Sequence, residues 1–267
     1  MPDRRLDLAA TRASTLRNAL AGQRRLAWRI ATLLEAVEET ATAKTLVFDV
    51  PGWPGHLAGQ HVDVRLTAPD GYSTQRSYSI ASAPDGTRVA LTVQRVEDGE
   101  VSPYLDEVLS VGDPVELRGP VGGWFVWRSA DTDPVLLIGG GSGVVPLMAM
   151  IRHRAAVRSR VPFRLIYSVR TPADVLYADE LRRRHRDDMG LDVHLLYTRR
   201  TPEEWPSPPG RIGLASIATH GWPPDLTPQC FVCGPTGFVE TAADILVAQG
   251  HDPRRVRTER FGPTGGA

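Results

Sequence analysis

The chain has 267 residues, 42% of them hydrophobic and 23% charged, which is enough for two domains that each bury a core. Its 31 basic residues balance 31 acidic ones, so no global field draws it to nucleic acid or an anionic membrane, and any basic function is local. Two cysteines supply neither a disulfide framework nor the four thiolates of an iron–sulfur cluster.

Residues 1–25 scatter arginines among short apolar stretches and lack a signal-peptide core, which predicts a basic N-terminal arm and a cytoplasmic protein. From about Trp28 to Trp127 the pattern is short and alternating, as in HVDVRL (61–66), RVALTVQRV (88–96) and PVELRG (114–119). Pro and Gly punctuate these runs, which favours a small antiparallel barrel or sandwich. RSYSIAS (76–82) reads as a further strand, with Arg76, Tyr78 and Ile80 on one face and Ser77, Ser79 and Ala81 on the other. A strand that only buried a core would not need a guanidinium, a phenol and several hydroxyls so close together; an anionic, aromatic ligand would account for them. In GEVSPYLDEVL (99–109) the spacing predicts a helix with Ser102 as N-cap, Pro103 at its first position, and Leu105, Val108 and Leu109 facing inward.

A boundary falls near RSADTDP (128–134), giving domains at 26–130 and 131–267. Beyond Pro134 strands alternate with helical patterns: PVLLIG, FRLIYSV, LDVHLLYT, CFVCG and RVRTERF predict a five-stranded parallel sheet covered on both faces. The longest apolar run, PVLLIGGGSGVVPLMAMI, is broken by glycines and a proline and reads as strand, turn and helix, not as a membrane span. Within it, GGGSGVVP (139–146) sits where glycines allow close backbone approach to a dinucleotide phosphate. YSVR and TRR end the next two strands, which places Ser168, Arg170, Thr198 and Arg199 at the edge where open α/β sheets bind ligands. Cys230 and Cys233 form a CxxC, but on a strand their sulfurs point apart, which argues against a redox pair. RRRHRDD (182–188) reads as a solvated helix end, and His61 and His153 lack ligand-spaced partners, so no metal is assigned.

Taken in order, RSYS, GEVS, GGGSGVVP, CGP (233–235) and ERF (259–261) resemble the ferredoxin-NADP reductase superfamily from about Trp28 to Phe261. The resemblance implies an antiparallel flavin-binding barrel followed by a parallel five-stranded nucleotide-binding α/β domain, without an iron–sulfur domain. It implies that Arg76 neutralises a flavin phosphate, that Tyr78 packs on the isoalloxazine and that Ser79 bonds near its N5, with Ser77, Val93 and Arg95 in the same site. Gly99, Val101 and Ser102 would form a second flavin-phosphate segment. Gly140, Gly141, Gly143, Val144, Pro146, Gly234 and Pro235 would hold the nicotinamide coenzyme, and Ser168, Arg170, Thr198 and Arg199 the 2′-phosphate that distinguishes NADPH from NADH. Cys233 would wall the reacting carbon, with Glu259 and Phe261 as the terminal acid and aromatic beside the flavin. Pro146, in place of the third glycine of an ordinary dinucleotide fingerprint, fits this superfamily better than ordinary dehydrogenases; the departure is that the chain runs past Phe261 as GPTGGA. The implied activity is hydride transfer from NAD(P)H to FAD and electron delivery to a separate iron–sulfur, haem or other redox protein. A flavin- and nucleotide-binding regulatory or sensor subunit, and a reductase of a small diffusible acceptor, are the alternatives; retention of CGP and Glu259 weighs against the sensor.

Overall fold

The computed structural model describes residues 26–262, so the arm expected at 1–25 and residues 263–267 lie outside it. Six antiparallel strands come first: β1 (Trp28–Thr40), β2 (Ala43–Asp49), β3 (His61–Thr67), β4 (Ser73–Ser79), β5 (Arg88–Gln94) and β6 (Pro114–Val121). They form one sheet in the order β4-β3-β6-β1-β2-β5. Its two ends meet where Ile80 bridges Leu91 and the Ala81 N–H donates to the Ala90 carbonyl at 2.7 Å. That contact joins the two edge strands and closes the sheet into a barrel. Leu46, Phe48, Val62, Val64, Leu91 and Leu117 fill the interior. The alternation of HVDVRL is this inside–outside pattern, with Val62 and Val64 inward and Asp63 and Arg65 outward.

Two features differ from the sequence expectation. β1 runs for 13 residues; its first part pairs with β6, the rest with β2, and bulges at Leu33/Glu35 and Glu38/Thr40 bend it between the two roles. The helix expected after Ser102 is one wide turn, Tyr104–Val108, in which the Leu109 N–H reaches the Tyr104 carbonyl. The added residue per turn rotates the side chains, so Leu105 and Leu109 stay buried while Val108 is exposed and Asp106 takes the inward place. Ser102 does not cap this turn: its hydroxyl accepts the Val96 N–H at 3.1 Å and closes the preceding loop instead.

The second sheet is parallel: β7 (Val135–Gly140), β8 (Phe163–Val169), β9 (Leu191–Tyr197), β10 (Gln229–Pro235) and β11 (Val256–Phe261), in the order β11-β10-β7-β8-β9. Helices α1 (Val144–Ala156) and α2 (Ala178–Asp187) cover the face that carries Leu137, Leu165, Tyr167 and Phe231. The other face, with Leu136, Ile138, Ile166 and Val232, lies under α3 (Leu214–His220) and α4 (Thr236–Ala248). Burial on both sides is why these strands read as continuous apolar runs. Cys230 and Cys233 are unpaired and fall on opposite faces, so the CxxC is no dithiol. The arginine run of α2 is a solvated end, with Arg182 on Asp179 and Arg186 on Asp187. No helix among the described residues is long and apolar enough to cross a membrane.

The two sheets share a core. Ala58, Ala81, Ala90, Phe125 and Trp127 from the barrel side belong to one apolar cluster with Leu147, Met150 and Phe163. Trp127 meets Phe163 edge to face at 5.1 Å, and Phe125 meets Phe231 likewise at 5.4 Å. A closed polar ring crosses the same boundary. Glu39 accepts from the Tyr177 N–H at 3.0 Å and from the Thr45 hydroxyl at 2.6 Å; Thr45 meets Thr92 at 2.8 Å, and Thr92 meets the Tyr177 hydroxyl. Burial pushes the Tyr177 phenol far up, so it stays protonated and the hydroxyl protons run one way, from Tyr177 through Thr92 and Thr45 to Glu39. Beside the ring, Arg152 joins Glu180 on α2 to the Ala81 carbonyl at 2.8 Å.

Candidate functional site

β7 and β10 are neighbours, yet the chain leaves β7 into α1 on one face of the sheet and β10 into α4 on the other. Their C-terminal ends therefore part and open a crevice, the usual ligand position in such sheets. A cleft of about 240 Å³ lies there, lined among others by Gly140, Gly141, Ser168, Arg170, Thr198, Pro235 and Phe261. Thr40, Thr42 and Gln94 line it from the barrel, so both sheets close on one site.

The glycine turn gives that cleft its floor. Gly141 has φ +55° and open space where a side chain would stand, and the turn leads into the N-terminus of the 13-residue α1. Its backbone N–H groups and the helix dipole suit a phosphate. Gly140 and Gly234 lie against the Phe238 ring, where a Cβ on either would come to 2.8 Å. Gly143 packs on the neighbouring strand, 2.2 Å from the Cys233 carbonyl oxygen if it carried a Cβ. Val144 and Pro146 are buried in the first turn of α1 and do not line the cleft; they pack beneath it. At the outer end, the Arg199 and Arg200 N–H groups both donate to the Arg170 carbonyl, at 2.9 and 3.2 Å, which gathers three exposed arginines.

On β4, Arg76 is exposed, and its guanidinium bonds the neighbouring Gln75 carbonyl at 2.7 Å. Tyr78 packs half-buried against the barrel core, and burial pushes its phenol up to about 12. Ser77 donates to Asp63 at 2.7 Å, and Asp63 also carries Arg118, so Ser77 serves the strand pair. Val93 and Val101 are barrel core and present no polar atom to a ligand. Arg95 is held by Glu107 at 2.6 Å and Asp106 at 3.4 Å, so its guanidinium is engaged by carboxylates. Gly99 closes a tight loop by donating to the Val96 carbonyl at 2.9 Å.

The two halves meet at three of the expected residues. The β10–β11 register sets Cys233 beside Glu259 and Pro235 beside Phe261. Glu259 reaches the barrel, where its Oε1 lies 3.8 Å from His61 Nδ1, and His61 opposes Ser79 in the β3–β4 register. Burial pushes the Glu259 carboxyl up to about 7, and its Oε2 is buried without a hydrogen-bond partner. Burial, and then the charge of Glu259, push the Cys233 thiol well up, so Cys233 is a protonated wall and not a nucleophile. His61 was not among the expected site residues: its spacing gave no ligand signal, and its contact depends on where β11 lands against β3. Phe238, Gln94, Thr40 and Thr42 were likewise invisible, since nothing in their local sequence points to the cleft. Among the described residues no group of three or more side chains is placed to hold a metal.

Residues 31–126 match the oxidoreductase FAD-binding domain family, and residues 137–244 match the oxidoreductase NAD-binding domain family. The chain belongs to the ferredoxin-NADP reductase superfamily. Among reductases of this superfamily, the glycine betaine monooxygenase reductase subunit of Chromohalobacter salexigens is 32% identical over 236 residues, covering 86% of this chain and 63% of that protein. The ferredoxin reductase component of 3-ketosteroid-9-alpha-monooxygenase from Mycolicibacterium smegmatis is 32% identical over 238 residues, covering 85% and 64%. The chain thus spans less than two thirds of the length of these relatives. Among solved structures, the FAD/NAD binding domain of nitric oxide dioxygenase from Vibrio cholerae superposes with a TM-score of 0.78 at 25% identity, covering 88% of this chain and 99% of that one.

Proposed function

We propose that the chain is an NAD(P)H-dependent flavoprotein reductase that passes a hydride from NAD(P)H to FAD and then electrons to a separate redox protein. The observation that carries this reading is the convergence of Ser79, Cys233 and Glu259, from three strands in two sheets, next to a cleft shaped for a dinucleotide. A flavin, when bound, accepts two electrons as hydride and releases them singly. The residues present fit one: an exposed guanidinium at Arg76, a half-buried ring at Tyr78 and an unpartnered buried carboxyl oxygen on Glu259.

On this reading residues 26–130 carry the flavin and residues 131–267 the coenzyme. Arg76 neutralises phosphate, Tyr78 packs on the ring and Ser79 hydrogen-bonds at its edge. The turn at Gly140, Gly141 and Gly143, with Gly234 and Pro235, cradles the coenzyme, while Phe261 covers the cleft. The protein's contribution is positional: it aligns donor and acceptor and keeps Cys233 as an inert wall beside the reacting carbon. Arg170 and Arg199, joined through one carbonyl, favour NADPH by gripping its 2′-phosphate. The monooxygenase reductase components named above support an oxygenase-system acceptor of iron–sulfur or haem type. Two unpaired thiols suit a cytoplasmic setting.

The test is the visible spectrum of the purified protein before and after NADPH under anaerobic conditions. Yellow protein that bleaches with NADPH is expected. A colourless protein that takes up neither FAD nor FMN overturns the reading, and a yellow one that NADPH leaves unchanged marks a binding or sensor subunit.

A further inference from the structure

Two irregular pieces of backbone meet where the two sheets join. On the barrel side, the bulge of β1 between Glu38 and Thr40 leaves Glu39 without a partner in the β2 register, and a bulge of this kind re-aims a side chain. On the other side, Tyr177 takes φ +57° and ψ +31°, the left-handed region that a residue with a large side chain rarely enters. They touch directly: the Tyr177 N–H donates to Glu39 at 3.0 Å, the Tyr177 hydroxyl donates to Thr92, and Thr45 closes the ring back onto Glu39. Thr45, Thr92 and Tyr177 are all buried. A strained residue over-determined by its surroundings points to a function.

The residues beside this junction are the walls of the cleft. Thr40, next to Glu39, lines it from the barrel with Thr42 and with Gln94, two residues on from Thr92. Arg170, Asp174 and Leu176, the last of them next to Tyr177, line it from the other half. This second wall is stiff within itself: Asp174 accepts from the Thr171 N–H at 2.9 Å and hydroxyl at 2.7 Å, and the Leu176 N–H donates to the Tyr167 hydroxyl at 3.3 Å. The segment moves as one piece, and its far end is fastened to the barrel at Tyr177.

We propose that Tyr177 is a positioning residue for the coenzyme: by pinning the segment Thr171–Leu176 to the bulge at Glu39, it sets the distance between the two walls of the cleft. The inference rests on the reductase reading for what enters the cleft. Tyr177 does not line the cleft and touches no reacting atom. A coenzyme that spans both walls is held only when their separation matches it, so a wall that drifts weakens its binding. Re-oxidation by an acceptor does not use this wall.

The experiment uses the holoprotein. Tyr177→Phe and Thr92→Val each remove the same hydroxyl contact with little change of shape, and Thr92→Ser keeps it. Stopped-flow reduction over a range of NADPH concentrations is expected to show an apparent Kd raised about five-fold or more in Tyr177→Phe and in Thr92→Val, a double variant no worse than the worse single, and Thr92→Ser close to wild type. Re-oxidation by ferricyanide is expected to stay at the wild-type rate in all of them. In parallel, nitroxide labels are placed at Ser110→Cys on the barrel and Met189→Cys just past α2, both exposed, while the native cysteines stay buried. Pulsed EPR without coenzyme is expected to give a broader distance distribution in Tyr177→Phe than with Tyr177 intact. An unchanged apparent Kd in both hydroxyl-less variants, re-oxidation slowed as much as reduction, or an unchanged distance distribution overturns the proposal; a lowered Tm with none of these changes marks a merely structural bond and overturns it too. Should wild type fail to bleach with NADPH, the reductase reading falls and the EPR distances still decide whether Tyr177 holds the two walls; should wild type bleach and the variants behave like it, the positioning role alone falls.

Discussion

Replacing Arg152 by methionine removes the cation that fastens α2 to the barrel while keeping an apolar stem over Tyr177. The guanidinium donates to Glu180 at 3.1 and 2.5 Å and to the Ala81 carbonyl at 2.8 Å, and stands 4.7 Å from the Tyr177 ring centre. The two charged side chains are only 19% and 18% exposed, so water screens the pair little. After the change Glu180 keeps Arg184 at 2.7 Å, so no carboxylate is stranded; the losses are a charge-assisted pair and the donor to one carbonyl. Together these amount to about 2–3 kcal/mol, a lowering of Tm of about 5–10 °C in a chain of this size. Burial alone would raise the Glu180 carboxyl, but bonds and charge from Arg152 and Arg184 outweigh it and hold it below its ordinary 4.5. The stabilisation is therefore complete above that value and is lost as pH falls through the lower folded-state value, so the gap between wild type and variant closes in acid. Thermal unfolding by circular dichroism, run as a double-mutant cycle with Glu180→Gln, measures the coupling. Additive effects of the two changes, or a gap that widens in acid, would refute the argument.

Arg76→Ala should weaken flavin retention by about ten-fold or more, the loss of one charge-assisted phosphate contact, and is read as the flavin-to-protein absorbance ratio after gel filtration; an unchanged ratio rejects the contact. Arg199→Ala should raise KM for NADPH about ten- to hundred-fold and leave NADH nearly unaffected; equal losses for the two coenzymes would show that the guanidinium points to solvent. Gly143→Ala puts a Cβ 2.2 Å from the Cys233 carbonyl oxygen, a backbone atom with little room to retreat. It should cost about 1–3 kcal/mol and weaken coenzyme binding, so a variant that melts and titrates like wild type contradicts the close approach.

What the sequence disclosed depended on burial geometry. HVDVRL was legible because the barrel wets one face of β3, and VLLIGG because helices cover both faces of β7. The glycine turn and the strand-end arginines were legible because their chemistry is local to a few residues. β1 was not, since Leu34, Glu35, Val37 and Glu38 are all exposed and carry no alternation once the strand bends. Arg95, which the resemblance places in the flavin site, is engaged by Asp106 and Glu107, and Val108 faces out because a wide turn replaced the expected helix. His61 became a neighbour of Glu259 only through the docking of two sheets, a tertiary fact that no spacing encodes.

The apolar cluster shared by the two sheets bears on how such a protein could be recombined. A crossover at residues 128–134 looks ideal on paper, since it joins two units with separate ligands. Yet it would part Phe125 and Trp127 from Phe231, Phe163 and Met150. A coenzyme half grafted from a relative would present a stranger's surface to these rings, and the mismatch would appear as cavities or clashes at the seam. The heritable unit is the matched pair of halves, and chimeras that retain activity should be those that carry residues 58, 81, 90, 125 and 127 across together with α1.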